Sequence, residues 1–290
     1  MTFELLEPAS IGEALAALDP EDNAVRAIAG GTALSLLLQS RIFQPVRLVS
    51  LRRLDGELRG IHVDDAGGLR IGAMTTLTEL ERSPLISIGA PVIARALHAL
   101  SNVRVRNVAT IGGHLVHADP HMDLPPILIT LGARVRVVGR GGERWIDVAD
   151  LVVGYYETSL APDELVIELH VPAQPAGART AYAKFTALSA DDWPSVGIAA
   201  WFRRENDAIV EARIAIGGAT ERAARSSAAE AAVIGTRGEL AHFTAAAEAA
   251  AATVQPLGDM RGSAPYKREM VRVHVRRALE AANAAAAENR

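Results

Sequence analysis

Two short segments each lead from an apolar stretch into a pair of glycines. In the first, Ala27–Leu34, a strand-like stretch runs into Gly30-Gly31 and then a helix; the second, Ala109–His114, runs into Gly112-Gly113. Paired glycines permit unusual backbone angles and leave no Cβ between the backbone and a ligand. Several amides then converge on an anion, helped by a following helix N-terminus. Two such loops fit a diphosphate held from both sides, although either one alone is typical of an ordinary turn.

Other nucleotide-binding fingerprints do not occur in this sequence. Neither the G-x-G-x-x-G pattern of a Rossmann fold nor the G-x-x-x-x-G-K-[ST] pattern of a P-loop is present. The absence of cysteine excludes disulfides, thiolate nucleophiles and cysteine-ligated clusters held by this chain. A net charge of −4 provides no basic excess for nucleic acid or an anionic membrane surface, so we expect neither as a partner.

No segment predicts export or membrane insertion. The N-terminal stretch Met1–Ser10 contains Glu4 and Glu7 but no basic region, which argues against a secretory signal. No apolar run reaches the ~18 residues that a membrane-spanning helix needs. We therefore predict a cytoplasmic protein that reaches the inner face of a membrane, if at all, through its partners.

Hydrophobic periodicity and turn residues predict a chain of mixed helices and strands. The first half alternates short segments of both kinds, including a strand at Val25–Ile28 and a long helix at Pro84–Leu100. At Pro172–Gly177, two prolines and a glycine interrupt any regular element and indicate a linker. Beyond it, Val196–Arg203 and Ile209–Ile216 flank a turn and predict an antiparallel pair.

The second half continues with alanine-rich helices. The last is expected from about Ser263 to Ala286, with Ser263 as its cap and Pro265 in its first turn. We expect Tyr266, Met270 and Val273 to share a core-facing side. The resulting division is a first domain at residues 1–175, in lobes of about 1–55 and 56–175, and a second domain at 178–286.

Several motifs, in order along nearly the whole chain, resemble the FAD-binding medium subunits of molybdenum hydroxylases of the carbon monoxide dehydrogenase and xanthine dehydrogenase type. Ala29–Ala33 resembles the first flavin diphosphate loop of that family, and Thr110–Pro126 resembles its longer signature. Further similar stretches are Arg104–Asn107, Tyr182–Phe185, Asp192–Pro194, Arg213–Ala219 and Asp259–Arg268.

The resemblance implies an α+β fold. A two-lobed FAD-binding domain of the vanillyl-alcohol oxidase-like type would be followed by a smaller domain of antiparallel sheet and helices. FAD would be held by this chain, [2Fe-2S] clusters by a small partner subunit, and the molybdopterin cofactor by a large one that oxidises the substrate. We therefore expect a dimer of heterotrimers, an electron-transfer role and no catalytic residue of hydroxylation in this chain. The relatives that reduce 4-hydroxybenzoyl-CoA hold a cysteine-ligated cluster in this subunit, which this chain lacks the cysteines to bind.

The resemblance also implies a set of flavin-binding residues. Two loops would wrap the diphosphate through their backbone donors, and these are Ala27, Ile28, Ala29, Gly30, Gly31, Thr32, Ala33 and Leu34 in the first and Thr110, Ile111, Gly112, Gly113 and His114 in the second. Asp123 matches a residue that contacts the polar chain of the flavin, and Lys184 matches a lysine near it. Leu100 and Leu165 match residues that pack on the ring, and Trp193 is expected beside it. The structural alternatives are a helix cap for Asp123, a surface position for Lys184 and ordinary core packing for both leucines.

Two positions depart from the family pattern. His114 stands where asparagine or aspartate is usual, and Thr186–Ala190 stands where many relatives have an arginine-rich stretch.

Three other interpretations are open. A metal site would use His114, His117 and His121 with Asp119 and Asp123, although no H-E-x-x-H pattern supports it. A stand-alone flavoprotein oxidase and a non-enzymatic docking scaffold are the others, and FAD content separates the scaffold from both flavoproteins.

Overall fold

A computed structural model describes residues 3–285, so Ala286, the predicted end of the second domain, lies outside the described residues. The first lobe is built on a three-stranded parallel sheet of order β1-β3-β2. Its elements are β1 (Glu4–Leu6), α1 (Ile11–Ala17), β2 (Val25–Ile28), α2 (Thr32–Gln39), β3 (Arg47–Ser50) and α3 (Asp55–Leu58), with a 3-10 turn at Arg52–Leu54 before α3. The central strand β3 is buried through Leu48 and Val49. The strand β2, which leads into the first glycine pair, lies at one edge of this sheet.

The second lobe is built on a five-stranded antiparallel sheet of order β4-β5-β10-β6-β7. The strands of this sheet are β4 (Ile61–Val63), β5 (Leu69–Gly72), β6 (Arg134–Gly139), β7 (Gly142–Asp147) and β10 (Leu165–Val171). A separate two-stranded antiparallel sheet consists of β8 (Val152–Gly154) and β9 (Glu157–Thr158). Its helices are α4 (Leu77–Arg82), α5 (Pro84–Gly89), α6 (Pro91–Leu97), α7 (Val103–Arg106), α8 (Ile111–His117), α9 (Leu124–Leu131) and α10 (Val148–Leu151). The helix α9 is buried along its whole length, so it forms the centre of this lobe's core.

The single helix predicted for Pro84–Leu100 is wrong. The chain forms two helices, α5 and α6, separated at Ala90, whose φ of −150° and ψ of 63° are not helical. Pro91 lies in the first turn of α6, and proline disfavours the helical conformation of the residue before it. The break therefore follows from Pro91.

The second domain is a four-stranded antiparallel sheet of order β11-β12-β13-β14 with three helices on one face. Its elements are β11 (Ala178–Phe185), β12 (Val196–Glu205), β13 (Ala208–Gly217), β14 (Ala224–Arg225), α11 (Ser227–Val233), α12 (Leu240–Thr253) and α13 (Ala264–Ala284). The strand β12 is buried on both faces: Phe202 packs in the core under the helices, and Trp201 packs in the core of the second lobe. Successive side chains of one strand thus join the two domains.

The last helix begins as predicted, because the Ser263 hydroxyl accepts from the Tyr266 amide. The predicted buried face is only partly right, however. Met270 packs against the core, but Tyr266 is 43% exposed, and the fully buried positions are Lys267, Val271 and Val275. The helix is rotated by about one residue from the expected orientation.

The predicted fold class, a mixed helix and sheet chain with a smaller antiparallel domain at its C-terminal end, is confirmed. The division of the chain near residue 175 remains our proposal. Within residues 3–285, no helix has both the length and the apolar character to cross a membrane.

Candidate functional site

The first glycine loop presents free backbone donors. The strand β2 ends at Ile28, and Gly31, in the left-handed region at φ 68°, is the residue before α2. No side chain caps α2, and the amides of residues 31–34 donate to no other described residue. The first turn of a helix carries a partial positive charge together with such free N–H groups, and it is therefore suited to bind an anion.

The two glycine loops lie against each other. A Cβ at Gly30 would stand 2.0 Å from the carbonyl oxygen of Val108, two residues before Thr110. A Cβ at Gly113 would stand 3.7 Å from the Cβ of Ala29. Only glycine permits so close an approach at the first of these positions. The predicted convergence of the loops is therefore present in the structure.

The second loop uses its amides within its own lobe. The Thr110 hydroxyl accepts from the amide of Gly113 at 3.2 Å and so caps α8. The amides of Ile111 and Gly112 donate to the carbonyls of Thr75 and Ala73, both at 2.9 Å, and that of His114 donates to Thr110 at 2.8 Å. The free donors thus come from the first loop, and a ligand role for Thr110 to His114 stays a prediction.

A cleft of about 440 Å³ opens where the two loops meet. That volume lies within the range of small-molecule sites. Three predicted residues line the cleft: Ala29, Gly30 and Thr110. The residues that we did not predict are Arg52, Asp55, Arg59, Met74, Thr76, Asn107 and Val108. Apart from Asn107, which ends the similar stretch Arg104–Asn107, no motif marks them in the sequence, since they lie on segments that only tertiary folding brings together.

Asp123 and Lys184 meet across the boundary between the domains. The Lys184 ammonium donates to Asp123 Oδ2 at 3.2 Å and to the carbonyl of Ala99, next to Leu100, at 2.8 Å. The Tyr182 hydroxyl donates to Asp123 Oδ1 at 2.8 Å. Burial raises the pKa of Asp123 to about 6, although Lys184 and Tyr182 act in the opposite direction. The two structural alternatives do not hold, because the Asp123 side chain caps no helix and the side chain of Lys184 is only 10% exposed.

The remaining predicted residues lie outside the cleft. Leu100 packs in the core of the second lobe, and Leu165 packs in the core that joins both lobes. Burial lowers the pKa of His114 to about 3, and its Nε2 has no hydrogen-bond partner among the described residues. Trp193 is 38% exposed and lies 6.3 Å from His117, ring centre to ring centre. Their contact with a flavin stays a prediction.

Two of the three histidines of the alternative metal site, His117 and His121, are engaged in other contacts. His121 contacts Asp119 through Nδ1 at 3.1 Å and Asp259 through Nε2 at 2.8 Å, and His117 packs against Tyr156. Among residues 3–285 there is no group of three or more histidine, cysteine, aspartate or glutamate side chains arranged to hold a metal ion. The arrangement is that of a hydrogen-bonded network between the domains.

Two family descriptions match the chain in succession. Residues 1–174 match the FAD binding domain in molybdopterin dehydrogenase, and residues 180–282 match the CO dehydrogenase flavoprotein C-terminal domain.

Individual relatives match over almost their full length. The carbon monoxide dehydrogenase medium chain of Hydrogenophaga pseudoflava is 34% identical, over 97% of this chain and 96% of the relative. The nicotine 6-hydroxylase medium subunit of Paenarthrobacter nicotinovorans is 32% identical, over 96% of each. A solved structure of the Hydrogenophaga pseudoflava carbon monoxide dehydrogenase, in a form lacking the Mo-pyranopterin moiety of its cofactor, superposes with a TM-score of 0.94 at 36% identity and covers 98% of both chains.

The resemblance inferred from the motifs is thus confirmed by independent similarities in sequence and in structure. The predicted two-part architecture is confirmed with it. This chain belongs to the family of FAD-binding medium subunits of molybdenum-containing dehydrogenases and hydroxylases, and it is a subunit of an oxidoreductase.

Proposed function

We propose that this chain carries FAD as the electron-transfer subunit of a molybdopterin-containing hydroxylase or dehydrogenase. In this proposal, electrons arrive from [2Fe-2S] clusters of a small partner subunit and leave for an external acceptor. A large subunit holds the molybdopterin cofactor and oxidises the substrate. We further propose that two such trimers associate in the cytoplasm.

One observation carries the proposal: free amides at the N-terminus of α2 lie beside a cleft that both glycine loops line. The residues present fit a flavin dinucleotide, because these amides are donors for a diphosphate and the cleft that Gly30 and Thr110 line has a volume of about 440 Å³, within the range of small-molecule sites. FAD supplies the redox chemistry, since its ring accepts electrons and passes them on.

The chain's own residues would position the two ends of that dinucleotide. We assign Ala27 to Leu34 to the diphosphate, with the hydroxyl of Thr32 as a further donor. We assign Lys184 to the flavin end, where a fixed cation favours negative charge on the ring. Its hydrogen bonds to Asp123 and Ala99 hold the ammonium in place, so the second domain contributes one side of the site.

The first test is an absorption spectrum of the full-length chain before and after acid release of any ligand. We expect flavin bands at close to one equivalent, released as FAD. A colourless chain that also refuses added FAD would contradict the proposal and favour the docking scaffold. Direct oxidation of a substrate by the isolated flavoprotein would instead favour a stand-alone oxidase.

The partners are tested by the mass of the native complex purified from cells that produce it. We expect three kinds of chain in equal numbers, with iron and molybdenum in the complex. A native mass that corresponds to this chain alone would contradict the heterotrimer while leaving the FAD assignment intact.

A further inference from the structure

Arg52 is the cation of the cleft that has no partner. It begins the 3-10 turn Arg52–Leu54 directly after β3, and it is exposed. Within residues 3–285, no carboxylate or carbonyl oxygen accepts a hydrogen bond from its guanidinium. The other arginine of the cleft, Arg59, is held by Asp55 at 3.0 Å and by Glu79 at 2.8 Å. Of the two arginines, only Arg52 is thus available to a ligand.

Most of the other polar side chains that line the cleft already make hydrogen bonds or ion pairs within the protein. Asp55, the one acidic side chain that lines the cleft, is bonded to Arg59. The side-chain oxygen of Asn107 accepts from the Thr78 hydroxyl at 2.7 Å, which leaves the Asn107 amide group as a donor. The Thr76 hydroxyl donates to Glu79 at 2.7 Å. The free groups of the lining are therefore hydrogen-bond donors with an unpaired positive charge, a combination that favours an anion.

We propose that Arg52 binds the diphosphate of FAD together with the free amides of the first glycine loop. The proposal rests on the FAD assignment above. Arg52 shares the cleft with Gly30 and Thr110, one residue from each loop. Leu100 and Lys184, which we expect at the flavin ring, and Asp123, which we expect at the polar chain of the flavin, do not line this cleft. The planar guanidinium fork offers parallel N–H donors to phosphate oxygens, which a compact ammonium does not.

The test is a fluorescence titration of the full-length chain with FAD, comparing the wild type with Arg52→Ala. Two further probes separate the ends of the dinucleotide: ADP, which has the diphosphate but no flavin, and riboflavin, which has the flavin but no diphosphate. The matched control is Arg53→Ala, because Arg53 is an exposed neighbour that makes no side-chain hydrogen bond or ion pair within residues 3–285 and does not line the cleft. Arg52→Lys tests whether the planar guanidinium group is needed, since lysine keeps the positive charge and lacks the two parallel N–H donors.

We expect Arg52→Ala to raise the dissociation constants of FAD and ADP about tenfold or more, as for the loss of one charge-assisted hydrogen bond. Riboflavin binding and the thermal midpoint of the apo chain should not change in Arg52→Ala. The Arg53→Ala variant should bind FAD and ADP as tightly as the wild type does. Arg52→Lys should fall between the wild type and Arg52→Ala, and salt should weaken FAD binding less in Arg52→Ala than in the wild type.

Two results would overturn the inference while leaving the FAD assignment in place. One is an Arg52→Ala chain that binds FAD and ADP as tightly as the wild type. The other is an equal weakening of riboflavin, which would indicate a general disturbance of the site. A wild-type chain that binds no FAD would overturn the proposed function itself, and this inference with it.

Discussion

Replacing Lys184 by methionine should destabilise the chain in a manner that depends on pH. The Lys184 and Asp123 side chains are 10% and 7% exposed and lie 3.2 Å apart. Removing one partner of a buried ion pair costs about 3–5 kcal/mol, because the remaining charge is buried without compensation. Methionine has a similar volume, so the loss of packing should be small.

The pH dependence follows from the carboxyl group. The pKa of Asp123 is raised to about 6 from an ordinary 3.8, so the folded chain favours the protonated acid. The contribution of this group to stability is therefore full below pH 3.8 and is lost as the pH rises through 6, which amounts to about 3 kcal/mol. Lys184 is the largest influence that lowers this pKa. Without Lys184, the pKa rises further and the loss extends beyond neutral pH.

The assay is urea unfolding of the apo chain at pH 5 and pH 8 for the wild type, Lys184→Met, Asp123→Asn and the double variant. We expect Lys184→Met to lose about 3–5 kcal/mol at pH 8 and clearly less at pH 5, where Asp123 takes up a proton. The double variant should lose less than the sum of the single losses at pH 8. Arg53→Met is the control at an exposed cation and should stay within about 0.5 kcal/mol of the wild type. Equal losses below about 1 kcal/mol at both pH values would refute the buried pair as described.

Three further variants test the contacts that bring the lobes and domains together. Gly30→Ala should lower the free energy of unfolding in urea by about 1–3 kcal/mol and weaken FAD binding, because its Cβ would stand 2.0 Å from a backbone oxygen. The control is Gly56→Ala, which has nothing within 4 Å of its Cβ and should not lose stability. His114→Asn should reduce the stability that the chain loses on acidification. The pKa of His114 is lowered to about 3, so the wild type loses stability as the pH falls below 6.5, by about 2 kcal/mol at pH 5. Parallel curves of unfolding free energy against pH for the two proteins would contradict this. Gly197→Ala should lower the thermal midpoint, because its Cβ would stand 2.4 Å from the Tyr182 hydroxyl. The same change should lower the midpoint less in a Tyr182→Phe background, where that oxygen is missing. An equal drop in both backgrounds would show that the contact is not the cause.

Local chemistry was sufficient to predict much of the backbone. The strand at Val25–Ile28, the Ser263 cap and the antiparallel pair at Val196–Arg203 and Ile209–Ile216 all follow from residues close together in sequence, and they are present in the structure. The prediction of one long helix was wrong because the local effect of Pro91 is stronger than the apolar periodicity around it. The predicted buried face of the last helix was only partly right, because the exact orientation of a helix depends on what packs against it.

The sequence by itself determined the family and the two glycine loops, because ordered motifs and backbone freedom are properties of the chain. Only the tertiary structure decided how the site is composed. It engaged the amides of the second loop inside their own lobe and left those of the first loop free. It also brought Arg52 beside Thr110, and Lys184 onto Asp123 across 61 residues. The physical reason is that burial and pairing depend on the residues that a side chain meets, and those residues are distant in the sequence.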